Sequence, residues 1–265
     1  MNGANDPGAV PGRTLRDWLA EGPFTLTMSS GFFGFFAHAG VLSVLEEVGC
    51  TPSWASGSSA GALVAAAHAS GLSAGALIEV LSGLEREHFW DPGPLYGVTQ
   101  GGLLRGELFR EKVEALLPVR TFEACRIPLA VSAFDVLSRR TEVLARGELA
   151  SAVVASCAVP GLFRPVRRDG RLLLDGGIRD RPGLAGAPRG SRVLFHHLAS
   201  RSPWRRAKEL RVPRRDGLVA LVLDGLPRSG PRDLASGRLA MKRAREAALR
   251  ALERRVEHDT VRLEA

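Results

Sequence analysis

The chain has 265 residues, 45% hydrophobic and 24% charged, enough to bury a sizeable core in one domain. Its formal charge is +8, with arginines crowding the last third from Arg201 to Arg255, a surface that attracts anionic partners without fixing a fold. No stretch reads as a transmembrane helix: the most apolar run, Gly31 to Leu45, carries His38 and stops at Glu46-Glu47, short of the ~20 apolar residues that such a helix needs.

Residues 1–22 are rich in glycine and proline and read as a flexible N-terminal arm, with a short helix over Thr14–Leu19. Met1–Gly8 lacks a basic region followed by an apolar core, so no secretory signal is expected. From Phe24 the chain alternates. Phe24–Met28 reads as a strand, Ser29–Gly34 as a turn, and Phe35–Val48 as a helix stopped by Gly49. The form repeats with an extended run at Pro52–Ser56, a turn at Gly57–Gly61 and a small-residue helix at Ala62–Ala69. Residues 85–105, with Pro92, Pro94 and several glycines, read as a mobile loop. Further strands are predicted at Ile127–Phe134, Thr141–Leu144, Leu172–Leu174, Arg192–Phe195 and Leu218–Leu223. A long helix rich in Ala, Arg and Glu, Leu234–Val256, closes the pattern. Strands alternating with helices predict an α/β fold with a largely parallel sheet.

Three segments carry chemistry. Gly57-Ser58-Ser59-Ala60-Gly61 fits G-x-S-x-G, in which small neighbours let a strand turn sharply into a helix and push the central hydroxyl outward. Ser59 would then meet the free N–H groups of the helix start, which favour developing negative charge. The pentapeptide taken alone also fits a turn that merely packs helix on sheet. Ser29-Ser30-Gly31-Phe32-Phe33-Gly34, about 25 residues earlier, joins strand to helix and can aim backbone N–H groups at an oxyanion. It could equally cradle phosphate, although the fuller nucleotide-binding patterns are absent. Leu172-Leu173-Leu174-Asp175-Gly176-Gly177 is an apolar strand ending in a carboxylate, followed by two glycines that allow a close turn. On its own, Asp175 could be a cap or a turn residue.

Together, and in this order, the three resemble the patatin-like phospholipase family. His38-Ala39-Gly40-Val41-Leu42 is similar to that family's first helix, and Ala155–Phe163 to its segment upstream of D-G-G. The resemblance implies a three-layer α/β/α fold with a central, mostly parallel sheet, and makes residues 23–265 a single domain ending in a basic helical segment. It implies a serine lipid acyl hydrolase of phospholipase A, lysophospholipase or esterase type. Ser59 is then the nucleophile and Asp175 its base, partly desolvated and raised in pKa. The backbone of Gly31, Phe32, Phe33 and Ala60 would hold the oxyanion, Gly57, Ser58 and Gly61 would shape the elbow, and Gly176 and Gly177 the turn after the base. The family's glycine loop usually has three adjacent glycines and then a cation; here Phe32 and Phe33 stand in that stretch. Phe32, Phe33, Phe35 and Phe36 are candidates for an acyl pocket.

The implied partner is a lipid or acyl-ester substrate. No metal, organic cofactor or nucleic acid is expected. Cys50, Cys125 and Cys157 lack metal-ligand spacing and suit a reducing cytoplasmic compartment. The basic carboxyl end suggests peripheral contact with an anionic membrane. Two other readings stay open: a lipid-binding protein of the same fold with a weak or inactive site, and an α/β-hydrolase triad using His196, His197 or His258.

Overall fold

The computed structural model describes residues 12–93, 102–199 and 211–265. Helix α1 (Leu15–Ala20) starts in a capping box between Thr14 and Asp17 and buries Leu15, Trp18 and Leu19, the i, i+3, i+4 stripe of an amphipathic helix. The expected arm therefore contains a packed helix from Leu15 onward. Most of the glycines and prolines that suggested looseness fall in residues 1–11, outside the described residues.

Strand β1 (Thr25–Met28) is wholly buried and leads to α2 (Phe35–Glu47). Gly49, at φ +70°, ends α2 as the N–H groups of Gly49 and Cys50 fold back onto the carbonyls of Glu46 and Leu45. Strand β2 (Trp54–Ser58) runs into α3 (Ala60–Ala69), in which every residue except His68 is buried. A small-residue helix, apolar all round, belongs in the interior.

Next come α4 (Ala74–Ser82), β3 (Gly102–Leu104) and α5 (Glu107–Leu116). The segment read as a mobile loop thus contains a strand and a short 3₁₀ turn at Arg86–His88; residues 94–101 lie outside the described residues. Then follow β4 (Leu129–Asp135), β5 (Arg140–Leu144), α6 (Leu149–Ser156) and β6 (Gly161–Phe163). After β7 (Val166–Arg168), β8 (Arg171–Asp175), β9 (Val193–Leu198) and β10 (Leu218–Asp224), α7 (Leu234–Leu252) and β11 (Thr260–Glu264) complete the chain.

The main sheet has the order β11-β10-β9-β1-β2-β4-β8-β7, with β5 also on β4, while β3 and β6 form a small sheet of their own. From β11 through β4 every pairing is parallel, and β5, β8 and β7 are added antiparallel. The protein is thus α/β, a mostly parallel sheet flanked by helices. Along β9 and β10 alternate residues separate two cores. Leu194, Leu198, Val219 and Leu221 join the large helical core, and Val193, Phe195, Ala220 and Val222 a smaller one with Leu184 and Ala187. Helices α2 and α7 cross at Gly40, where a Cβ would stand 2.3 Å from the carbonyl oxygen of Met241.

Strand β4 positions the candidate site. Ser132 pairs with Ser58 of β2 and with Val143 of β5, so β2 and β5 hold opposite edges of β4. One step on, Ala133 pairs with Glu142 of β5 and Asp175 of β8, so β8 occupies the edge that β2 has left. Because β2 is parallel and β8 antiparallel to β4, their carboxyl ends meet head-on there.

Candidate active site

Ser59 follows β2 directly and precedes the first residue of α3. Its backbone, at φ 52° and ψ −120°, is in a region that costs a residue with a Cβ on the order of 1–3 kcal/mol. The flanking glycines make the turn possible. A Cβ on Gly57 would stand 2.5 Å from the carbonyl group of Gly61, and one on Gly61 2.1 Å from the Met28 oxygen. The Ser59 N–H donates to Ser156 Oγ at 2.9 Å.

Asp175 ends β8 and is buried. Its Oδ2 accepts the Ser59 hydroxyl at 2.6 Å, across 116 positions of sequence, and its Oδ1 accepts the Gly177 N–H at 2.8 Å. Gly176 and Gly177 are pressed as closely as the elbow glycines: added Cβ atoms would stand 2.1 Å from the Ser132 oxygen and 2.5 Å from Ser30 Oγ. The structure therefore brings Ser59 and Asp175 together, with Gly57, Gly61 and Gly176 pressed against neighbouring backbone and Gly177 against the side chains of Ser30 and Asp175.

Ser59 opens onto a cavity of about 130 Å³. Its walls are apolar: Phe33 from the loop after β1, Phe35 at the start of α2, Leu81 and Leu84 around the end of α4, and Phe109, Val113 and Leu116 from α5. Phe32 lies at the rim, 52% exposed, and Lys112 is the charged residue of the wall. Phe36 lies elsewhere, fully buried against Gly237 of α7. Cys157 lines the cavity beside Ser59; burial, reinforced by the Asp175 carboxylate, pushes its thiol well above the ordinary range and keeps it neutral.

The loop Ser29–Gly34 turns tightly, with the Gly34 N–H on the Gly31 oxygen at 2.9 Å and Phe33 at φ 54°. Leu198 packs on its glycines, since Cβ atoms on Gly31 and Gly34 would stand 2.6 and 2.3 Å from Leu198 Cδ1. Among the described residues, no hydrogen bond engages the N–H of Gly31, Phe32, Phe33 or Ala60. Behind the loop, His38 Nε2 donates to the Ser29 carbonyl at 2.8 Å, which leaves its Nδ1 to accept from His196 Nδ1, also at 2.8 Å. Burial, only partly opposed by the Ser29 carbonyl, lowers His38 to about 4, and the same cause lowers His196, so both rings are neutral. His196 thus turns Nδ1 to His38, and His258 lies in the turn before β11, at φ 48°.

Sequence reasoning missed Asp91 and the wall of α5. Asp91 accepts the N–H groups of Gly106, Glu107 and Leu108 (2.7–3.2 Å) and so anchors the start of α5. Phe109, Val113 and Leu116 carry the helical spacing that would have marked the wall.

With this geometry in view, comparison with known proteins gives the family. The family model described as patatin-like phospholipase matches residues 26–187, more than half the chain and a span that includes Ser59 and Asp175. The chain belongs to the patatin-like phospholipase family. An uncharacterized NTE family protein of Mycobacterium tuberculosis strain H37Rv is 34% identical over 157 residues, 58% of this chain and 42% of that protein. A second such protein from the same strain is 33% identical over 158 residues, 58% of this chain and 26% of its own length. The chain thus spans less than half the length of these curated relatives. Among solved structures, VipD from Legionella pneumophila is similar in fold, with a TM-score of 0.51 and 15% identity over 87% of this chain and 66% of that one.

Proposed function

We propose that the chain is a serine hydrolase of lipid acyl esters, of phospholipase A, lysophospholipase or esterase type, acting through Ser59 and Asp175. The observation that carries this reading is the 2.6 Å hydrogen bond to a buried carboxylate from the hydroxyl of Ser59, a residue that lines an apolar cavity. In the proposed reaction Asp175 takes the hydroxyl proton as Ser59 Oγ attacks the ester carbonyl carbon. The oxyanion is received by the free N–H groups of Gly31, Phe32, Phe33 and Ala60. Collapse breaks the bond to the alcohol, which leaves with the proton from Asp175. Water, deprotonated by Asp175, then cleaves the acyl-enzyme, releasing a carboxylic acid and restoring Ser59. The cavity suits the part of an acyl chain nearest the ester: it is of the order of the ~150 Å³ dry cavities that admit benzene, and its walls offer dispersion contact.

Hydrolysis of p-nitrophenyl esters and phospholipids by wild type, Ser59→Ala and Asp175→Asn tests the reading. Both variants should lose about 10³-fold or more in kcat. Wild-type rates in Asp175→Asn, with loss in His196→Ala or His197→Ala, would replace the dyad by a triad. Failure of a fluorophosphonate to label Ser59 would favour a lipid-binding protein without turnover.

Peripheral contact with an anionic bilayer is part of the proposal. Exposed Phe32 lies against the loop at Gly230, and Pro231 of that loop lines the cavity. Arg228 and Arg232 of the same loop are exposed and form no ion pair among the described residues. An aromatic anchor flanked by free cations suits a headgroup surface, where each cation contributes roughly 1 kcal/mol.

A further inference from the structure

We propose that Ser156 is the positioning residue of the nucleophile; the kinetic part of this inference rests on the hydrolase reading of Ser59. Ser156 closes α6 and is fully buried. Its Oγ accepts the Ser59 N–H at 2.9 Å and donates to the Ser132 carbonyl oxygen at 2.6 Å. The hydroxyl is thus used in both senses, which no aliphatic side chain can imitate.

The accepting carbonyl lies where β2 gives way to β8. Ser132 pairs with Ser58, and its neighbour Ala133 pairs with Asp175. Gly176, directly after Asp175, packs on the same carbonyl, from which a Cβ would stand only 2.1 Å away. One hydroxyl therefore ties the backbone of the nucleophile to the strand that carries its carboxylate partner. Ser59 needs such a hold. Its φ of 52° and ψ of −120° lie in a sparsely populated region that persists only when its surroundings over-determine it. Its N–H precedes the first turn of α3, so no helix carbonyl can accept it. Without Ser156 Oγ that buried donor loses its partner, and Ser59 relaxes away from Asp175. The same bond keeps the Ser59 N–H out of the oxyanion site and leaves Ala60 as the elbow's donor.

Ser156→Ala should lower kcat for a soluble p-nitrophenyl ester by about 10²-fold, the scale of an ångström of misplacement, while KM changes little. Ser156→Thr, which carries the same oxygen, should recover most of the rate. Val219→Ala, in the core on β10 with β9 and β1 between it and β2, should lower the melting temperature without this split between kcat and KM. Independently of turnover, the Ser59 amide should exchange with deuterium slowly in wild type and much faster in Ser156→Ala. The inference is overturned if Ser156→Ala keeps both the wild-type kcat and the protection of the Ser59 amide. It is also overturned if its rate loss merely follows the fraction unfolded, as in Val219→Ala. An ester-inactive wild type whose Ser59 amide is deprotected by Ser156→Ala would sink the hydrolase reading and leave the positioning role standing.

Discussion

Two imidazoles, His38 and His196, stand behind the glycine-poor loop with both rings neutral and one shared hydrogen bond. In the fold His38 falls from 6.5 to about 4, so between those pH values the unfolded chain holds the extra proton. A group depressed in this way contributes stability above pH 6.5 that is lost as pH falls toward 4, on the order of 3 kcal/mol. His196 acts in the same direction. Thermal midpoints measured from pH 7 to 4 should therefore fall steeply, and His38→Gln should flatten that slope. A wild-type midpoint independent of pH would contradict the neutral pair. At this scale the residues of the elbow and the D-G-G turn were legible because their glycines announce close backbone approach. Ser156, Cys157 and the two histidines were not, because their contacts arise only when α6, β9 and α2 are brought against β2 and β1.

Among the elements, the longer apolar strands and the helices α2, α3 and α7 were legible, α2 from helical spacing and the other two from composition, while α4, α5, α6, β3, β6, β7 and β11 were not assigned. The short strands hold only three to five residues each, too few for a period to register. Helix α5 was hidden behind a proline- and glycine-rich stretch, yet one side chain in that stretch, Asp91, accepts its first two N–H groups and that of Gly106 just before them. Loss of such an anchor costs about 1 kcal/mol. Asp91→Ala should lower the melting temperature and, since α5 walls the cavity, reduce kcat/KM for long-chain esters more than for acetates. Equal losses on both would separate α5 from substrate binding. The elbow is less forgiving: Gly61→Ala must displace the Met28 carbonyl, and overpacking of that kind costs ~1–3 kcal/mol.

For the whole molecule, the formal charge of +8 is a statement about encounter more than about fold. Among the described residues, no helix is long and apolar enough to cross a membrane. Vesicles of phosphatidylglycerol should bind the Ser59→Ala protein more tightly than phosphatidylcholine vesicles, and binding should weaken from 0.1 to 1 M salt as the Debye length shrinks from ~10 to ~3 Å. A variant with Arg228→Glu and Arg232→Glu should lose most of that preference while hydrolysing soluble esters normally. Indifference to lipid charge would remove the docking face and leave the site untouched.

The head-on meeting of β2 and β8 along β4 makes one strand the ruler of the site. Neighbouring residues Ser132 and Ala133 fix the gap between hydroxyl and carboxylate, a step of ~3.3 Å that no connecting segment can stretch. Surface loops between the two motifs can therefore be lengthened, shortened or replaced, reshaping what enters the cavity, without altering that reactive spacing.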